Sequence, residues 1–392
     1  MSHTGRTTDG DARSASDIAA DLASAPFVHL VPRADGDSLA AAGLVARALV
    51  DDGTPFQVSV GRTVAERTGR AESVDDRDGR TLVVGDSDAD AVHLDPDDEP
   101  ASVAAWRLAN DLGGAPDAVL ALAGAVAAGA TPGAGATERL VDAAETTGRV
   151  VRRPGVALPT DDPTDVAHST WLHGPFSAGV DETSALTDVA DDIGSDADDS
   201  ARRRFASLAA VETVTDDDAT DRAGIAVERG LRPYATPDSA TASVAGLADV
   251  LSCAAASEPG TGIALALGHD VADAAVATWR DTAARAHEAL SEATTGRYDG
   301  LFVARVDDDA PAPVVARLLR DFRSPEPVAL ALADDAAAAA AVDDATVDGG
   351  VAGAMARTVT HTGGAYDGTA TTGFATYECE TKEFIHAFRE AL

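Results

Sequence analysis

Three places in the chain bring aspartates to the end of an apolar run. Asp35 and Asp37 follow Phe27–Val31, Asp86 and Asp88 follow Thr81–Val84, and Asp95 and Asp97 follow Ala91–Leu94. A buried strand that gives way to an acidic loop and then to a helix aims carboxylates and free helix N–H groups at one point. Carboxylates converging in that way suit hard divalent cations such as Mg²⁺ or Mn²⁺. Asp is also so common here, outnumbering Glu about three to one, that acidic turns arise without any such role. Spacing alone leaves both readings open.

Other side chains offer less. His168 and His173 flank Trp171 in a Pro- and Gly-containing stretch, with no Cys or acidic partner at zinc-ligand spacing. Cys253 falls in an Ala-rich helix and reads as a small buried hydrophobe. Arg202-Arg203-Arg204 can hold a phosphate or neutralise the acidic run Asp188–Ser200 before it, and the residues do not choose between the two. Ser38 is accounted for as a helix N-cap.

The elements that must position these groups alternate between strand and helix. A short helix ends near Ser24, Phe27–Val31 reads as a buried strand, and Leu39–Val50 as a helix capped by Asp37 or Ser38. Strands follow at Phe56–Val60, Thr81–Val84 and Ala91–Leu94, then helices at Ala101–Leu112, Pro116–Ala128 and Thr137–Gly148. That alternation predicts a parallel α/β sheet. Ser257-Glu258-Pro259-Gly260 is a turn cluster that marks a domain boundary. Beyond it the rhythm restarts, with strands expected at Gly262–Leu267, Gly300–Val306, Val328–Leu332 and Thr369–Tyr377. Helices are expected there at Val271–Ala293, Ala312–Phe322 and Lys382–Leu392. The fold class is thus α/β, with a disordered segment 1–16, a parallel-sheet domain 17–257 and a smaller α/β domain 258–392.

Composition narrows the setting. The 392 residues carry 30 basic and 66 acidic side chains, a net charge of −36, with Lys382 the only lysine. The repeated Val/Leu/Ala runs mark a folded protein with an acidic surface rather than a disordered chain. Abundant Asp, scarce Lys and small apolar residues look like adaptation to molar salt. At about 1 M salt the Debye length is about 3 Å, so net charge does not by itself exclude nucleic acid. Cys253 and Cys379 stand far apart without CxxC spacing, which argues against a disulfide framework. The polar start Met1–Asp17 lacks the apolar core of a signal peptide, and a cytoplasmic protein is the expectation.

The order of motifs along the chain resembles the DHH phosphoesterase superfamily, which includes the RecJ single-strand exonucleases. The segments that carry the likeness are Val31-Pro32-Arg33-Ala34-Asp35-Gly36-Asp37-Ser38, then Asp86, then His93-Leu94-Asp95-Pro96-Asp97. Leu122–Ala128 is similar to the family's later Gly-Thr-Ile-Ala-Asp segment. Gly363-Gly364-Ala365 and Thr371-Thr372-Gly373-Phe374 look like the signature of the DHH-associated C-terminal domain. The resemblance implies a metal site between strand ends and a nucleic-acid cleft between the two domains, with Gly363, Gly364, Thr372 and Gly373 as contacts. It also implies that a side chain at Gly364 would weaken binding and leave the fold intact.

The departures from the family matter as much. Laid on its pattern, the first His falls on Val31 and the first Asp on Arg33. The two His of the triplet fall on Pro96 and Asp97, the later Asp on Ala128, and the C-terminal His on Ala365. Asp35, Asp86 and Asp95 keep carboxylates, enough for one Mg²⁺ or Mn²⁺ ion. Arg33 would bring a cation among them in place of a metal. The resemblance therefore implies a degenerate, non-catalytic member that binds single-stranded DNA or RNA or acts as a scaffold in replication or repair. The cell-division-cycle-45 helicase subunit is a family precedent, and archaeal relatives associate with GINS and MCM proteins. The alternative is an active metal-dependent single-strand exonuclease or oligonucleotide phosphoesterase.

Overall fold

A computed structural model describes residues 15–74, 78–94, 99–178, 185–190, 193, 197–237 and 239–392. The first apolar run forms strand β1 (Val28–Pro32), buried at every position. With β2 (Phe56–Val58), β3 (Arg80–Val84) and β4 (Val92–Leu94) it makes a sheet in the order β2-β1-β3-β4. All three pairings are parallel, so the C-terminal ends of the strands share one edge. Helices Gly36–Asp52, Ala101–Asp111, Ala118–Ala127 and Val244–Ser257 bury Leu44, Leu108, Leu122 and Leu251 in one core with Leu30 and Leu82 of the sheet.

The cap of the first of these helices is Asp35, not Asp37 or Ser38. Asp35 is extended at φ −138°, and its carboxylate accepts the Ser38 N–H at 2.7 Å. Asp37 lies inside the first turn and caps a different helix, accepting the N–H groups of Ala101 at 2.7 Å and Ser102 at 3.0 Å. Burial, with Asp35 beside it, pushes the Asp37 carboxyl up to about 6. A cap supplied by a distant part of the chain leaves no local signature.

After the first sheet comes a short antiparallel ribbon of β5 (Val151–Arg152) and β6 (Tyr234–Ala235). The strand expected at Gly262–Leu267 is instead the helix Pro259–Ala266. Proline in the first helical turn gives up no hydrogen bond and pre-sets φ. A short apolar run fits either period, and here the helix won.

The second sheet has six strands in the order β11-β12-β10-β9-β8-β7. These are β7 (Thr294–Tyr298), β8 (Leu301–Arg305), β9 (Val328–Leu332), β10 (Ala336–Ala341), β11 (Tyr366–Gly368) and β12 (Thr372–Thr376). Only the β8–β9 pairing is parallel. Both faces are covered. Ala304, Ala329, Ala331, Ala338 and Ala340 face the helices Ala272–Glu292 and Ala312–Leu318. Val303, Leu330, Leu332, Ala337 and Ala339 face Gly350–Thr362 and Thr381–Ala391. The all-alanine β10 has no strand signal of its own, because alanine favours helix, whereas a strand covered on both faces needs only to be apolar.

Candidate functional site

The site lies where the C-terminal ends of β1 and β3 meet the edge strand β11. Just past β1, Arg33 donates its own N–H to the Val84 carbonyl at 3.0 Å, which holds it beside β3. Arg67 comes from the helix Val64–Ala71, capped by Thr63, and is fully buried. Its guanidinium donates to the Asp86 carbonyl at 2.8 Å and the Gly61 carbonyl at 3.2 Å. The remaining nitrogen meets the Asp367 carboxylate at 2.5 Å.

Asp367 sits on β11 and is 5% exposed. It also pairs with Arg33, at 3.1 Å from Nε to Oδ2. Asp35 stands 3.8 Å from the same Arg33 nitrogen. One carboxylate of the second sheet is therefore clamped between Arg33, just past β1, and Arg67 of the helix Val64–Ala71. Ion pairs removed from water in this way are held by geometry and by satisfying the remaining donors, as the Arg67 carbonyl contacts do. Next to Asp367, burial and the carboxylates of Asp86 and Asp88 push the Tyr366 phenol up.

A pair of divalent cations does not fit the described residues. Val31 is a buried hydrocarbon, Arg33 brings a positive charge already matched to Asp367, and Ala128 ends its helix exposed and without a donor atom. Two-metal chemistry needs ions about 3.5–4 Å apart held by shared carboxylates. Among the described residues, no three His, Cys, Asp or Glu side chains group as a metal-holding set. Asp35 commits its oxygens to Ser38, and the exposed Asp86 offers its backbone carbonyl to Arg67. Asp95, Pro96 and Asp97 lie outside the described residues.

The residues expected to touch nucleic acid each have a structural task. Gly363 and Gly364 end the helix Gly350–Thr362 at φ +72° and +101°. A Cβ on Gly364 would lie 2.0 Å from the Thr376 carbonyl oxygen. The expectation that a side chain there would spare the fold is corrected on that ground: backbone fills the space. A Cβ on Gly373 would meet Met355 Cγ at 2.7 Å, and Thr372 bonds to Thr369 across the β11–β12 turn.

Similarity to other proteins agrees with this architecture. Residues 293–390 match the family described as "Uncharacterized protein rrnAC1427, C-terminal domain". The protein of that name from Haloarcula marismortui is 45% identical over 399 residues, covering 100% of each chain. The chain belongs to the rrnAC1427 family. In fold it is similar to CDC45 from Entamoeba histolytica, at 8% identity and a TM-score of 0.60 over 93% of this chain and 95% of that one. An exonuclease RecJ structure bound to manganese aligns at 16% identity with a TM-score of 0.48, over 97% of this chain and 93% of that one. The fold is the α/β arrangement expected from the motifs, with a parallel N-terminal sheet and a second sheet domain, and it is similar to that of CDC45.

Two members of the clamp, Arg67 and Asp367, are not legible in the sequence as site residues. For Arg67 the available signal is Thr63-Val64-Ala65-Glu66, a helix-start pattern that places it one turn in. Asp367 carries only its nearness to Gly363-Gly364. The motif order places Arg33 among Asp35, Asp86 and Asp95, but its short partner is Asp367.

The histidines and Cys253 read from the sequence are structural. His173 accepts from Arg323 at 2.9 Å, and its second ring nitrogen meets that of His287 at 3.0 Å. His287 in turn faces the Ser169 carbonyl at 3.2 Å. Both imidazoles are held below their ordinary range, mainly by burial. His168 pairs with Asp165 at 3.5 Å. Cys253 is buried and its thiol is pushed well up. Among the described residues, no helix is long and apolar enough to cross a membrane.

Proposed function

We propose that this chain is a non-hydrolysing RecJ/CDC45-like protein that serves as a scaffold or single-strand-handling component of DNA replication or repair. One observation carries the reading. The position that aligns with the family's first aspartate is Arg33, and its charge is satisfied by Asp367 from the other sheet. A hydrolase needs that space for metal and a water; a scaffold gains from filling it, because the clamp ties the two sheets into one body. The likeness to CDC45 over nearly the whole chain supports the same class. Partners of GINS or MCM type, and a cytoplasmic location, belong to this proposal.

The test is incubation of the pure protein with Mn²⁺ and labelled single-stranded DNA or RNA in about 1 M KCl, where surface charge is screened. No shortening is expected. Mn²⁺-dependent shortening that disappears in Asp35→Ala would overturn the reading. Co-purification from the native host at the same salt should recover replication proteins.

A further inference from the structure

We propose that the β5–β6 ribbon, outside the cleft, is a binding surface for the phosphates of single-stranded nucleic acid. Only the class of ligand rests on the function proposed above. What marks the ribbon is a concentration of arginines that no carboxylate neutralises among the described residues. Arg152 ends β5 and Arg153 follows it, while Arg232 sits two residues before Tyr234 of β6. All three are exposed, and none has an ion pair among the described residues. The chain holds 66 acidic residues against 30 basic ones, so a missing partner does not reflect a shortage.

The ribbon holds these three together. Arg152 is opposite Tyr234 in the β5–β6 register, and the Arg153 N–H donates to the Pro233 carbonyl at 3.1 Å. Arg232 donates its N–H to the Gly155 carbonyl at 3.0 Å, tying together the segments that flank the two strands. The Arg152 guanidinium lies 4.6 Å from the centre of the Tyr234 ring. A cation stacked on a half-buried aromatic offers a charge for phosphate and a flat face for a base, the pairing that single-strand binders use. Arg153 also walls a hollow of about 530 Å³ whose other walls include Thr160, Ser239 and Arg280 together with the carboxylates Asp161 and Asp273, so phosphate is expected at the Arg153 rim and not inside it.

A second observation is independent of charge. Arg232 has φ +52°, and it is the one non-glycine residue with positive φ among the described residues. That conformation costs an L-residue about 1–2 kcal/mol, which glycine would avoid. A strained backbone that keeps an arginine where glycine would sit more easily is the kind of feature that marks functional surfaces. An acidic protein would satisfy the charges but would make no use of the Arg152–Tyr234 stack, so nucleic acid is favoured.

The experiment is fluorescence anisotropy with labelled DNA and RNA oligonucleotides of about 16 nucleotides, a length that spans a typical single-strand site. KCl runs from about 0.2 to 2 M, where long-range repulsion is screened. Wild type should bind. The double variant Arg152→Gln, Arg153→Gln should bind at least tenfold more weakly, with its thermal midpoint unchanged. Its log–log salt slope should fall by about 2, one per lost phosphate contact. Tyr234→Phe should bind as wild type and Tyr234→Ala more weakly. The DNA and RNA arms tell which strand is preferred. Absence of wild-type binding, an unchanged double variant, or equal binding of poly-glutamate overturns the proposal. Metal-dependent cleavage would overturn the scaffold reading and leave the ribbon standing.

Discussion

The arginines of the cleft and those of the ribbon are used in opposite ways. Arg33 and Arg67 are buried or nearly so, and both end on Asp367. Arg152, Arg153 and Arg232 are exposed and end on no carboxylate among the described residues. In a chain of net charge −36, acidic partners are plentiful, so the two sets differ by where the fold places them. The first set commits its charge to holding two sheets together. The second set carries the charge that the proposed ribbon site would use.

The largest effect should come from cutting the clamp. Asp367→Ala strands two guanidinium groups, one of them fully buried, and removing one partner of a buried pair costs about 3–5 kcal/mol. Urea unfolding at matched salt reads this, while oligonucleotide affinity of the folded variant should stay at the wild-type value. A loss below about 1 kcal/mol would mean that the cleft is not held shut by charge.

Next comes acid. The seam at His173 and His287 is made of neutral imidazoles facing Arg323, Arg317, His168 and the Ser169 carbonyl. His287 is lowered to about 4 and His173 is lowered as well, so the unfolded chain binds more protons than the folded one below about pH 6.5. Stability from this seam is complete above that value and is lost as pH falls toward 4. His287→Gln should flatten that part of a pH–stability curve; an unchanged slope would place the titration elsewhere.

Smaller still is Gly364→Ala, which forces a Cβ against the Thr376 carbonyl at a positive φ and should cost about 1–3 kcal/mol. The ribbon should respond with the opposite sign. Arg232→Gly releases about 1–2 kcal/mol of left-handed strain and loses about 0.5–1 to chain entropy. A gain of roughly 0.5 kcal/mol accompanied by weaker oligonucleotide binding would show stability given up for function. A loss on substitution would mean that Arg232 is a structural residue.

What is legible in the sequence is local. The strands around Val31 and Val84 can be read because an apolar run that stops at acidic residues fits a buried strand end and little else, and the parallel order follows from alternation with helices. Three features cannot be read, each for a physical reason. Asp37 caps a helix that begins more than 60 residues further along, and nothing near it announces that. The strand Ala336–Ala341 consists of the residue with the highest helix propensity, and only burial between two helical layers makes it a strand. Asp367 meets Arg67 across 300 positions of chain, a separation at which spacing carries no information.

The clamp also resists piecemeal change. Placing a carboxylate at position 33 by a single change would face Asp35 and Asp367 with a third negative charge and leave Arg67 to balance them alone. Removing Asp367 first would strand Arg67, at a cost of about 3–5 kcal/mol from the 5–15 that a domain usually has. Each single step toward a metal-binding cage is therefore uphill, and only a concerted change at 33, 67 and 367 avoids the climb. The ion triad acts as a ratchet: once the three residues are in place, stability alone selects against replacing any one of them singly.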